Sequence, residues 1–174
     1  RSIRVVFCGR SKPFEMGMIF GTLPERVQWV DGAIGVDYGE VHPSALAAVR
    51  RDSLGYTWLV ESWAGVTQTD ADYDALWVEI NRMRKQYGIG GQLLPMSKVR
   101  VDPMLKGWDK QTGVTRSDSS AGSRKNRIEM VTTLLNGKVT RMGQPRIPSL
   151  YLAKDAPGLD ELYAEMTMYR WDIQ

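Results

Sequence analysis

Two aspartates carry the chemistry that this chain most readily suggests. Asp37 closes the apolar run Ala33-Ile34-Gly35-Val36, and Tyr38-Gly39 follows it at once. Asp102 closes Lys98-Val99-Arg100-Val101, and Pro103 then halts that strand. In an open α/β sheet, sites form outside the carboxyl ends of the strands. Two carboxylates brought side by side there repel each other unless positive charge lies between them. A pair of divalent cations meets that need, and hard oxygen ligands favour Mg²⁺ or Mn²⁺ over zinc. Either Asp alone is an ordinary strand-ending turn residue. Both together, each after a β-branched apolar run, favour the metal reading.

The elements that must position these acids follow from spacing. Residues 33–37, 45–50 and 56–63 read as three strands, with Asp52-Ser53 and Gly55 supplying the turn of a hairpin between the last two. In the first strand Ala33, Gly35 and Asp37 share a face, opposite Ile34 and Val36. Tyr73, Leu76, Trp77, Ile80, Met83 and Tyr87 follow helical spacing. Thr69 stands where an N-cap would, Asp70 and Asp72 suit the positive helix end, and Gly88, Gly90 and Gly91 stop the helix. The strand of residues 98–102 comes next, then a glycine- and serine-rich loop over residues 106–123. Ile128, Val131, Leu134 and Leu135 form the apolar face of a second helix, ended near Gly137. Residues 149–152 make a short strand, and Pro157 opens a third helix with Leu159, Leu162, Tyr163, Met166 and Tyr169 on one face.

This order predicts an α/β fold, a mixed β-sheet flanked by helices on both faces. A right-handed crossover through the first helix sets the Asp102 strand beside the Asp37 strand and parallel to it. Residues 1–32 show no clear period. They read as an N-terminal extension or linker, with an extra strand as the alternative, and residues 33–174 as the main domain.

Bulk properties narrow the classes. At 174 residues the chain can bury a real core, and 43% apolar with 25% charged residues is the balance of a globular protein. One cysteine and one histidine exclude an intrachain disulfide, a cysteine zinc cluster and a histidine-rich metal site. The net charge of +3 permits a polyanionic partner without demanding one. No apolar stretch is long enough to span a bilayer and no signal-peptide pattern opens the chain, so the cytoplasm is the default expectation. Opening at Arg1 rather than a methionine, the sequence reads as a fragment of something larger.

Gly35-Val36-Asp37-Tyr38-Gly39, with Pro43-Ser44-Ala45 opening the next strand, resembles the first nuclease motif of tailed-bacteriophage terminase large subunits. The later order is similar as well: a strand with Glu61, a helix, the Val-Arg-Val-Asp-Pro strand, a loop, and the helix of residues 124–135. The resemblance runs from Ala33 to the end. It implies an RNase H-like fold, shared with Holliday-junction resolvases, and a metal-dependent endonuclease that cuts double-stranded concatemeric viral DNA during genome packaging. By the same resemblance Asp37 would bridge two Mg²⁺ or Mn²⁺ ions and Asp102 would hold one. Hydrolysis would then be an in-line displacement at phosphorus. A third acid is expected beyond the strand and helix of residues 149–171, and Asp172 is a poor stand-in for it. The implied partners are duplex DNA, a packaging ATPase domain, a portal and a small terminase subunit, in the cytoplasm of an infected bacterial host.

Other residues have plainer roles to set beside a functional one. Glu61 falls mid-strand, where a solvent-facing or paired carboxylate is the simpler reading, and Glu40 and His42 suit a loop surface. Lys106, Lys110, Arg116, Arg124, Lys125 and Arg127 crowd around the glycine/serine-rich passage and suit phosphate contacts that read no bases; ordinary solvated charge explains them equally well. Trp108 in that passage could stack on a base or fold back on the core. The phosphate-loop signature GxxxxGK[ST] is absent, which leaves any packaging ATPase outside these residues. Two alternatives stay open: another nuclease of the same fold, of resolvase or transposase type, and a non-catalytic nucleic-acid-binding or assembly module.

Overall fold

Alternation along the first long strand sets the layers. Ile34 and Val36 are buried on one face, while Ala33 and Gly35 on the other are half-buried and Asp37 is exposed. The same period runs through the next strand, where Ser44, Leu46 and Ala48 are buried. The computed structural model describes residues 20–39, 43–66, 69–98, 114–116, 120, 122–136 and 149–168. Within them the chain forms β1 (Phe20–Gly21), β2 (Trp29–Asp37), β3 (Ser44–Asp52), β4 (Thr57–Gly65), α1 (Asp70–Gln86), β5 (Met96–Lys98), β6 (Val114–Arg116), α2 (Ser123–Asn136), β7 (Leu150–Ala153) and α3 (Leu159–Met168). Among the described residues seven strands make one sheet in the order β1-β7-β4-β3-β2-β5-β6. β2, β3 and β4 are antiparallel, and every other pairing is parallel.

α1 covers the face of Ile34, Val36, Leu46 and Ala48. Its Leu76, Ile80 and Met83 are fully buried, and the helix packs on β2 and β3. Its start is a capping box. Thr69 Oγ1 accepts from the Asp72 backbone N–H at 3.3 Å, and Asp72 Oδ2 accepts from the Thr69 N–H at 2.9 Å. α3 lies on the opposite face. Phe20, Leu152 and Leu59 are register partners across β1, β7 and β4, and the Phe20 ring meets Tyr163 of α3 at 5.1 Å. The α/β arrangement with helices on both faces is therefore the one expected. No helix of the described residues is long and apolar enough to cross a membrane.

Three expectations change in detail. The passage of residues 106–123 is not all loop: Val114–Arg116 is a strand, paired in parallel with β5 (Met96↔Val114). Three residues between glycine and serine are too few to show a period. The strand expected from residue 98 begins at Met96, and residues 99–102 lie outside those described. The apolar face of α2 is only partly used. Leu135 is buried and Leu134 half-buried, but Val131 is 41% exposed. The end of this helix is tied to the start of β7, where the Ser149 N–H donates to Leu134 O at 2.9 Å. Tyr169 of the expected α3 face is outside the described residues. Within the first 32 residues, Phe20–Gly21 and the start of β2 from Trp29 belong to the sheet.

Candidate active site

Asp37 ends β2 in the middle of the sheet. On one side it pairs with Ala45 of β3; on the other β5 runs parallel, with Ile34↔Met96 and Val36↔Lys98 in register. β2 and β5 therefore run toward the same edge of the sheet, the edge at which Asp37 stands. Asp37 is exposed and has no hydrogen-bond or ion-pair partner among the described residues. Its successor is anchored. Tyr38 is buried and stacks on Tyr73 of α1 with ring centroids 5.4 Å apart. The Gly39 N–H donates to the buried Ser44 Oγ at 3.2 Å. The two halves of the Asp37 motif are thus bonded to each other, and the turn that presents the carboxylate is held from both sides. Spacing marks Tyr73 only as helix face and Ser44 only as strand start; their part in holding this turn is a contact between elements that spacing does not reveal.

Asp102, Glu40, His42, Trp108, Lys106 and Lys110 lie outside the described residues. Arg116 is the last residue of β6 and Arg124 sits in the first turn of α2. Lys125 and Arg127 are exposed on the same helix, with Lys125 Nζ 3.7 Å from Glu129. The first turn of α2 carries no acid. Among the described residues no three His, Cys, Asp or Glu side chains form a group that could hold a metal.

Glu61 has a different job from Asp37. Along β4 it should share the face of Leu59, two residues earlier, but the register shifts so that Leu59 pairs with Val49 and Glu61 with Ala48. Val60 is the extra residue of this bulge, and the shift turns Glu61 onto the α1 side. There it is 5% exposed, ion-paired with Arg82 and accepting from the Tyr87 hydroxyl at 2.6 Å. Arg82 also pairs with Glu79. Hydrogen bonds to Glu79 and then Glu61 hold the Arg82 guanidinium well above its ordinary range. Burial, then the Glu61 hydrogen bond, pushes the Tyr87 phenol up. The paired-carboxylate reading of Glu61 holds, and its acid is spent on fastening α1 to β4.

Asp52 likewise explains itself. It is buried, accepts from the Leu54 and Tyr56 backbone N–H groups at 2.9 Å each, and accepts from Trp58 Nε1 at 2.9 Å. That is the hairpin turn acid expected from Asp52-Ser53. Arg50 lies over the Trp29 ring, 4.2 Å from its centroid, and donates to Gly88 O at 3.3 Å. Burial lowers its pKa.

The fold has counterparts among solved structures. The chain is similar in fold to the large terminase of a thermophilic bacteriophage. One crystal form matches with TM-score 0.60 at 16% identity, over 91% of this chain and 36% of that one. The ADP complex of the same terminase matches with TM-score 0.61 at 15% identity, over 92% and 36%. The complex with ATP-gamma-S gives TM-score 0.61 at 15% identity, over 92% and 37%. The chain thus spans a little over a third of the length of those terminase chains. Identities this low speak to fold, and the fold is the RNase H-like one expected from the order of strands and helices. No family model matches the chain, and no curated protein does.

Proposed function

We propose that the chain is the nuclease part of a large terminase subunit, a metal-dependent endonuclease that cuts double-stranded concatemeric viral DNA during genome packaging. The observation that carries this reading is the parallel pairing of β5 with β2, by which β5 runs toward the same sheet edge at which Asp37 is exposed. The terminase-like fold supports it. Carboxylate oxygens suit Mg²⁺ or Mn²⁺, and Asp37 and Asp102 are the residues that would hold two such ions. When bound, they supply an activated water and charge neutralisation at the leaving oxygen. The chain's own residues do the rest. The Tyr38–Tyr73 stack and the Gly39–Ser44 bond orient the Asp37 turn. Arg116, Arg124, Lys125 and Arg127, together with Lys106 and Lys110, would hold phosphates without reading bases. Duplex DNA, the packaging ATPase, the portal and the small terminase subunit follow as partners, and the cytoplasm of the infected bacterium as the place of action.

The test is plasmid cleavage with Mg²⁺ or Mn²⁺, using the chain as it stands and a form extended past Gln174. Asp37→Asn and Asp102→Asn are each expected to lower cleavage at least about 100-fold, the upper end of what losing an outer partner of a metal ligand costs. Full activity in either variant would sink the proposal. Preference for branched over linear duplex would move the assignment to a resolvase-type nuclease.

A further inference from the structure

α2 begins without the devices that usually settle a helix N-terminus. Gly122, the residue before it, accepts from the Asn126 N–H at 3.1 Å but has no side chain with which to cap. Its φ is +84°, and a Cβ built there would meet nothing within 4 Å, so the backbone can be approached closely. The Ser123 N–H donates to Ser120 O at 3.0 Å, while the Arg124 and Lys125 N–H groups have no acceptor among the described residues. The first turn carries no acid; Arg124 and Lys125 stand in it, with Arg127 just beyond. Cations at this end oppose the helix dipole, so the charge pattern works against the helix itself.

Ser123 is an independent sign. It is 6% exposed, and its hydroxyl has no partner among the described residues. A polar group buried without a partner costs stability. Cα–Cβ bonds in a helix tilt toward its N-terminus, so at the first position this hydroxyl stands beside the free N–H groups. It is not sealed off: among the described residues, Arg50 Nε is the side-chain polar atom closed to solvent without a partner. The helix is also suitably placed. Its end is tied to the start of β7, where the Ser149 N–H donates to Leu134 O at 2.9 Å. β6, whose Arg116 is in register with Lys98 and through it with Val36, ends at the edge where Asp37 stands. Between these points α2 rises about 21 Å, with its N-terminus toward the Asp37 edge.

We infer that the N-terminus of α2 binds a phosphate group, through the Arg124 and Lys125 N–H groups and the Ser123 hydroxyl, with the exposed Lys125 and Arg127 adding charge. That the phosphate belongs to duplex DNA rests on the nuclease reading above. The test is an amide NMR titration with a blunt DNA duplex and, separately, with inorganic phosphate, joined to affinities measured across a range of salt. The Arg124 and Lys125 amides should shift saturably with both probes. Ser123→Ala should weaken duplex binding at least about 10-fold, the worth of a hydrogen bond to a charged group. It removes no charge, so the slope of log affinity against log salt should stay as in wild type. Amides that stay put under saturating duplex and phosphate overturn the site, as does unchanged affinity for both probes in Ser123→Ala. Shifts with inorganic phosphate alone uphold the site as one for a free anion and take DNA out of it. Shifts with duplex in a protein that cleaves no DNA in Mg²⁺ uphold the site and overturn the nuclease reading instead.

Discussion

Glu61 and Asp37 show how the same type of side chain is committed to different work by its surroundings. Glu61 is walled in by Arg82 and Tyr87, whereas Asp37 is exposed at a strand end without a partner among the described residues. The Tyr87 hydroxyl is the most exacting member of the buried set, because it must keep its proton to donate. Its pKa is raised by burial first and by Glu61 second, and burial raises that of Tyr151 in the same direction. For a tyrosine the protonated form is neutral, so the folded state holds a proton that the unfolded chain releases above about pH 10. The stabilisation is fully present below that pH and is lost as pH rises towards the folded-state value. Denaturant titrations across about pH 9 to 11.5 should show stability falling with pH. Tyr87→Phe should flatten that fall and cost about 1.5–3 kcal/mol at neutral pH, the worth of a hydrogen bond to a charged group. An equally steep fall in the variant would remove Tyr87 as its source.

At the scale of elements, the long periodic segments were legible and the short or bent ones were not. Thr69 with Asp72 announced the start of α1, and the stripe from Tyr73 to Tyr87 announced its course. Thr69→Ala should cost about 1 kcal/mol, read from the shift in denaturation midpoint. β6 was illegible because three residues carry no period, and the inward turn of Glu61 was illegible because the bulge at Val60 breaks the alternation on which a strand is read. The turn before α3 was also undersold by its proline. At Gly158, φ is +69° and an added Cβ would stand 2.1 Å from Ser62 O, while Pro157 O accepts from the Ser62 N–H at 3.0 Å. This turn seats α3 on β4. At Gly90, φ is +60° but an added Cβ would meet nothing within 4 Å. Gly90→Ala should cost about 1–2 kcal/mol, the left-handed backbone penalty alone. Gly158→Ala should cost clearly more, adding about 1–3 kcal/mol of overpacking. Equal losses in the two variants would show that the β4 contact yields without strain.

For the molecule as a whole, the place of β5 beside β2 and parallel to it was legible because crossover handedness leaves few choices once the element types are known, while the rest of the order among the described strands was not. Of the expected site, Asp37 is described at the strand end where spacing put it, and Asp102 lies outside the described residues. Charge is the property that acts at this scale. The chain carries a net +3, and α2 holds Lys125 and Arg127 in solvent beside a 62% exposed Met130. If this helix meets the phosphate backbone, each neutralised phosphate contributes about −0.9 to the slope of log affinity against log salt. Arg127→Gln should then reduce that slope by about 1 with little change in sequence preference. Lys125→Gln should reduce it by less, because Glu129 stands 3.7 Å from the ammonium and already competes for it. Fluorescence anisotropy with two unrelated duplexes, from about 50 to 200 mM salt, reads both slopes. A slope that Arg127→Gln leaves intact takes Arg127 out of the interface, and an affinity indifferent to salt takes the phosphate backbone out of the recognition altogether.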